Sequence, residues 1–176
     1  RDRAYRGLRD EFPCWEDVLN AKPRSIARAI HSGGLANQKA ERIREILRWI
    51  KGRYGKLSLA SLKEAGSDKI KETIGELKGI GPKTVHCLLL FGLGRKAFPV
   101  DTHILRIGKR MGFIPEEMDA EKAHRWMEPL IPEGKSLSLH LNLIRLGRHI
   151  CKAKSPQCTA CFLAKECSWP ASLSNR

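Results

Sequence analysis

No stretch of about 18 consecutive apolar residues occurs in this sequence, so no segment is long enough to cross a bilayer as a helix. No secretory leader is recognisable at its start. Acidic side chains are scarce: 19 Asp and Glu stand against 33 Lys and Arg, which leaves a formal charge of +14 and a pI near 9.9. A balance of that kind points to a polyanionic partner. Nucleic acid is the usual one, because each neutralised phosphate releases a counterion. A generically basic, solvated surface is the alternative reading of the same charge. Aromatic residues make up only 6% of the chain and β-branched runs are short. A length of 176 residues is enough for one substantial core or for two small lobes. The chain opens on Arg1 rather than Met, so the expectation is a piece of a longer product.

What the sequence does hold is helical spacing. Ile43, Ile46, Leu47 and Ile50 form one apolar stripe, with Lys39, Arg42, Arg44, Arg48 and Lys51 largely outside it. Residues 16–32 and 58–76 also read as helices, punctuated by Pro23, Gly33-Gly34, Gly52 and Gly55. Residues 82–91 predict a helix with Pro82 at its first position and Val85, Leu88 and Leu89 inward. Another is predicted from Thr102 to Met111, with Ile104, Ile107 and Met111 inward. Leu137, Leu139, Leu141 and Leu143 alternate with polar residues, which is a strand signal. A weak boundary falls at 92–99, where Gly92, Gly94 and Pro99 cluster.

Between two of these helices lies Leu77-Lys78-Gly79-Ile80-Gly81-Pro82-Lys83. Two glycines around one apolar residue permit a tight turn with unusual φ values, and the turn opens onto a helix N-terminus. The amides and the positive dipole end there suit an anion such as a DNA phosphate, with Lys78, Gly79, Ile80 and Gly81 as contacts. An ordinary helix–helix turn explains the same residues. Lys83 follows at about the second helical position, where a cation is disfavoured. A neutral amine there is able to attack a sugar carbon and form a Schiff base, although most lysines of a basic protein are simply solvated or touch phosphate. Asp101 precedes the Thr102 helix and has a strong structural role open to it as an N-cap. No capping box accompanies it, because Ile104 stands where Glu or Gln is needed. A helix over 82–91 is roughly 15 Å long. The return over 92–100 reaches about 30 Å when extended, so a meeting of Asp101 with Lys83 is allowed but not required.

Four of the six cysteines fall within 17 residues: Cys151, Cys158, Cys161 and Cys167, in the form C-x6-C-x2-C-x5-C. Without a leader, such crowding reads as a metal site before it reads as disulfides. By ligand type alone, zinc and an iron–sulfur cluster are both open. Lys152 and Lys154 flank the first ligand, so the loop over 152–157 is a second candidate for phosphate contact. Cys14 and Cys87 stand apart and read as buried structural thiols.

Taken in order, the Leu77–Thr84 segment, Val100-Asp101-Thr102-His103 and the four-cysteine run resemble the endonuclease III branch of the helix-hairpin-helix DNA glycosylases. His140 and Gly147-Arg148 also match the pattern, and the resemblance runs from about residue 1 to 168. It implies an all-α fold of two helical lobes with a C-terminal iron–sulfur cluster loop, and DNA with a flipped base in the cleft between lobes. The lobes are expected at 1–95, with the hairpin, and at 96–176, with the cluster but without that lobe's N-terminal helices. A helix over 137–150 is implied against the alternation.

A [4Fe–4S] cluster on the four cysteines is implied, with Lys83 as Schiff-base nucleophile and Asp101 as its carboxylate partner. Monofunctional relatives lack the lysine. Its presence here implies a base excision repair glycosylase with AP-lyase activity, acting on damaged bases, oxidised pyrimidines above all, or abasic sites in double-stranded DNA. A glycosylase for mismatched thymine or uracil, and a non-catalytic DNA-binding module, are the alternatives. A monomer with no membrane partner is expected, intracellular and, in a prokaryote, in the cytoplasm or nucleoid. Residue 78 is Lys where the family often has Pro, and residue 82 is Pro where Arg is common. The family's wedge glutamine, which fills the gap left by the flipped base, has no match in this chain.

Overall fold

The computed structural model describes residues 2–169, which form helices, tight turns and irregular loops, with no strand among them. Nine α-helices are present among the described residues: α1 (Asp2–Glu11), α2 (Trp15–Asn20), α3 (Pro23–Ala29), α4 (Ala36–Tyr54), α5 (Ser67–Gly75), α6 (Pro82–Cys87), α7 (Thr102–Met111), α8 (Ala120–Met127) and α9 (Ser136–His149). None is long and apolar enough to cross a membrane. The contacts divide the chain into two compact units, one up to Ala65 and the other from Gly66 onward. The boundary drawn from the sequence at 95/96 falls inside the second unit. The outer ends of the two expected lobes, at residue 1 and at 170–176, lie outside the described residues.

In the first unit, Leu8, Val18, Ile26, Ala27, Ile30, Ala40 and Leu47 close one core. The stripe expected on α4 faces inward, with Leu47 and Ile50 buried and Ile43 and Ile46 half-buried. The helical stretch expected over 16–32, punctuated at Pro23, is two helices. Lys22 precedes a proline and is extended (φ −65°, ψ 142°), and Pro23 then starts α3 as its first residue. The helix expected over 58–76 is likewise broken. A 3-10 turn over Ala60–Lys63 ends before Gly66, which is extended and precedes α5. Cys14 is not a buried thiol. It is exposed, and it caps α2 by a reciprocal pair of bonds: Asp17 N–H donates to Cys14 Sγ at 3.4 Å, and Cys14 N–H donates to Asp17 Oδ2 at 3.1 Å.

In the second unit, Phe98, Val100, Ile104, Ile107, Ile114, Ala123, Met127, Ile131, Leu143 and Leu146 make the core, and Cys151 and Cys161 pack against it. The leucine alternation over 137–143 belongs to a helix, not a strand. In α9, His140, Leu143, Leu146 and Gly147 recur every three or four residues on the buried side, whereas Leu137 and Leu141 are exposed. A period of two crosses both faces of such a helix, so the alternation carried no structural meaning.

Helices α7 and α9 meet at a glycine. A Cβ on Gly147 would lie 2.7 Å from the Cβ of His103, inside any tolerable contact. Gly52, in the interior of α4, has nothing within 4 Å of a built Cβ. Gly147→Ala is therefore expected to destabilise the protein by about 1–3 kcal/mol through overpacking. Gly52→Ala should stabilise it by about 0.5–1 kcal/mol through helix propensity. Thermal unfolding checks both, at about 2–4 °C per kcal/mol for a chain of this size.

Candidate active site and cysteine loop

The turn over 76–81 joins α5 to α6. Ile80 N–H donates back to Leu77 O at 2.9 Å, and Gly79 takes φ +81°, a left-handed conformation that favours glycine. Gly81 is not strained. It is extended (φ −89°, ψ 171°) and caps α6, accepting from Thr84 N–H at 2.9 Å and Val85 N–H at 3.3 Å. Only one of the two glycines therefore has the unusual φ expected of both. A Cβ at Gly81 would meet nothing within 4 Å of the chain itself, so the missing side chain leaves the backbone open to an outside approach. Among the described residues no acceptor meets the amides of Gly79, Gly81 or Lys83. Three unmatched donors beside a helix N-terminus favour an anion.

Lys83 is the second residue of α6, exposed, with no hydrogen-bond or ion-pair partner among the described residues. Pro82 supplies the first position, where a missing N–H costs nothing. The helix runs on through a π turn at Leu88–Gly92 and then gives way to a buried connection, Ala97–Val100. His140, 3% exposed on α9, holds this connection. Its Nδ1 bonds Pro99 O at 2.9 Å, and its ring meets Phe91 and Phe98 edge to face at 5.3 and 6.0 Å.

The connection ends on Asp101, which is buried and extended and caps α7. Both helix amides converge on one oxygen: His103 N–H and Ile104 N–H each donate to Asp101 Oδ1 at 2.9 Å. No donor among the described residues meets Oδ2. The structural role foreseen for Asp101 thus occupies half of the carboxylate. Lys83 and Asp101 lie in the same compact unit but form no ion pair.

The cysteine loop hangs from α7 by two arginines that the sequence reading did not single out. Arg106 Nη2 donates to Gly147 O at 2.9 Å and to Cys151 O at 2.7 Å, and its Nε to Cys151 O at 3.1 Å. One turn on, Arg110 Nη1 donates to Lys152 O at 2.7 Å and reaches Cys151 Sγ at 3.3 Å. Its Nη2 donates to Ala153 O at 3.2 Å, and its guanidinium stacks 4.7 Å from the Trp169 ring. Gln157 N–H donates to Ile150 O at 2.9 Å and closes the loop, on which Lys152 and Lys154 are exposed. Cys151, Cys158, Cys161 and Cys167 are free thiols, and all four line one cavity of about 50 Å³ with Arg110 and Trp169. Burial pushes the Cys158 thiol above its ordinary pKa, and the nearby Cys151 and Cys167 sulfurs add to the effect. Among the described residues no three His, Cys, Asp or Glu side chains converge tightly enough for a single metal ion. The four free thiols line one cavity, and by ligand type they suit a thiolate-held metal group.

Residues 2–133 match the model of the HhH-GPD superfamily base excision DNA repair proteins. A putative DNA glycosylase from Arabidopsis thaliana is 40% identical over 146 residues, 83% of this chain and 50% of that protein. The chain thus spans about half the length of that relative. Endonuclease III from Thermotoga maritima is 31% identical over 168 residues, 96% of this chain and 74% of the enzyme. Among solved structures, a non-covalent endonuclease III–DNA complex superposes with a TM-score of 0.76 at 26% identity, covering 94% of this chain and 73% of that one. With the helical hairpin at 67–87 and the cysteine loop in place, these likenesses establish that the chain belongs to the endonuclease III-like branch of the HhH-GPD superfamily of base excision DNA repair proteins.

Proposed function

We propose that this chain is a DNA N-glycosylase with AP-lyase activity that removes damaged bases, oxidised pyrimidines above all, from duplex DNA. The observation that carries the reading is Lys83: an exposed amine with no partner among the described residues, placed beside three unmatched amides at the start of α6. Phosphate on the Gly79–Gly81 turn would fix the duplex without reading its sequence, and Lys78, Lys152 and Lys154 would add sequence-independent charge. The damaged nucleotide is extruded at least cost where its pair is already weak.

The chemistry then follows from two side chains. The Lys83 Nζ lone pair attacks C1′ of the sugar, and the C1′–N bond breaks with its electrons leaving on the base. Asp101 Oδ2 faces the positive charge that develops on the sugar, while Oδ1 remains tied to α7. Loss of a proton from nitrogen leaves a ring-closed aminal; its nitrogen lone pair then expels O4′, which takes up a proton, and the sugar opens to a protonated C1′ imine. The imine is an electron sink, so loss of a C2′ proton expels the 3′ phosphate by β-elimination. Hydrolysis of the imine returns the amine.

Cys151, Cys158, Cys161 and Cys167 would hold a [4Fe–4S] cluster as four thiolates. When bound, it supplies four metal–sulfur links that fix the loop over 152–157 against α7. Four free thiols lining one cavity suit either metal by ligand type, and the likeness to endonuclease III favours the cluster over a lone zinc.

Borohydride trapping on lesion-bearing duplexes tests the nucleophile. Wild type should form a covalent adduct, and Lys83→Gln should form none while binding undamaged duplex nearly as well, since one of 33 basic residues is lost. Trapping by Lys83→Gln would move the nucleophile elsewhere, with Lys78 and Lys96 next to be tested. Thymine and uracil mismatches belong in the same panel. For the cluster, the purified protein should be yellow-brown with broad visible absorbance, and Cys158→Ser should lose colour and fold together. A colourless protein with one zinc per chain would contradict it.

A further inference from the structure

Two histidines on helices that the proposed chemistry does not use meet in the second unit. His86 on α6 and His124 on α8 are 5% and 3% exposed, and their ring centroids lie 4.7 Å apart with the planes tilted at 44°. Each ring makes one bond to its own helix: His86 Nδ1 to Pro82 O at 2.8 Å, and His124 Nδ1 to Ala120 O at 2.6 Å. A carbonyl oxygen accepts only, so each Nδ1 must carry the hydrogen. In the neutral ring, Nε2 then holds a free lone pair. Both Nε2 atoms are buried, and neither has a hydrogen-bond partner among the described residues. Burial also lowers the pKa of His124, with the neighbouring His86 adding to the effect and the Ala120 carbonyl opposing it, so the neutral form is favoured.

We propose that His86 and His124 form a binding site for a borderline divalent cation of the zinc class, bridging α6 to α8. Two buried lone pairs on adjacent rings are costly unless something accepts them. Imidazole nitrogen selects zinc, copper or nickel over magnesium or calcium. Both rings already possess the outer hydrogen bond that metal-ligating histidines use to fix tautomer and orientation, an Nδ1–H to a backbone carbonyl. Both rings line a cavity of about 480 Å³. Its rim carries Asp68 and Glu121 against Lys71 and Arg125, and Lys71 is itself paired with Asp68 at 3.5 Å and Glu128 at 3.7 Å. The rim charge is balanced, so the ring nitrogens are the selecting element. Among the described residues no third side chain completes the set. Water, or Glu121 after a rotamer change, fills the remaining positions. Binding donates two lone pairs and releases no proton, and it pins the helix that carries Lys83 three residues before His86.

The test titrates zinc chloride into the purified, cluster-bearing protein near neutral pH while the imidazole nitrogens are followed by long-range proton–nitrogen NMR. In the free protein both rings should appear as Nδ1–H tautomers. Zinc should then shift the Nε2 resonances of His86 and His124 together, saturating at about one equivalent per chain. In calorimetry, His124→Gln should weaken that event at least about tenfold. Zinc taken up by cysteines leaves the histidine resonances in place and counts against the proposal. So does a pair bridged by a buried water, which keeps both tautomers but does not respond to millimolar zinc. Equal binding by His124→Gln also overturns the site. Should that variant fail to fold, the wild-type resonances decide alone.

Discussion

The bond on which this site depends is the one Asp101 makes at the head of α7. One carboxylate oxygen takes two backbone amides, and the helix begins there. In the sequence Asp101 reads strongly as a cap, and as a chemical group only through the family resemblance; the arrangement leaves room for both. Both roles fit one side chain, because the cap consumes Oδ1 and no donor among the described residues meets Oδ2. It also starts α7, and α7 is the element from which the cysteine loop hangs. Arg106 and Arg110, one turn apart, project from it to the carbonyls of Gly147, Cys151, Lys152 and Ala153. The proposed carboxylate and the cysteine loop are thus mounted on a single helix.

The other support is the buried connection ahead of Asp101. A chain that leaves α6 through a π turn has lost its helical register, and something must set where it arrives. His140 does so from α9, through the Pro99 carbonyl and two edge-to-face phenylalanine contacts. Close approach of α9 to α7 requires Gly147, whose missing Cβ makes room for His103. A histidine that matched a family pattern in the sequence therefore has a mechanical role: it positions the segment that delivers Asp101.

How much of this the sequence disclosed depended on the range of each interaction. Local chemistry was legible: the stripe on α4, Pro82 at the first position of α6, Asp101 ahead of α7 and the turn around Ile80 all follow from neighbours within four residues. Breaks were legible in part: Pro23 marked the division between α2 and α3, whereas the break over 64–66 ahead of α5 carried no such mark. The alternation over 137–143 misled because leucines placed two apart can lie on both faces of a helix, and only burial tells them apart. Cys14 was misread because its neighbour Asp17 turns a thiol into a cap. Arg106 and Arg110 were invisible among so many basic residues: their partners are carbonyls more than 40 positions away, and nothing in local spacing marks them. The pairing of His86 with His124 is hidden for the same reason.

The central claim is that one carboxylate is divided between folding and chemistry, and a single substitution separates the two. Asp101→Asn keeps an acceptor for the amides of His103 and Ile104 but removes the charge at Oδ2. The rate of base release on a preferred lesion under single-turnover conditions, measured beside unfolding of the same variant, is the direct test. Stability should stay within about 0.5 kcal/mol of wild type, since Asn and Asp cap equally well. Base release should fall about a hundredfold to ten-thousandfold, the scale of a lost electrostatic or acid–base group. Normal base release by a stable Asp101→Asn protein would contradict the account and leave Asp101 as a helix cap alone.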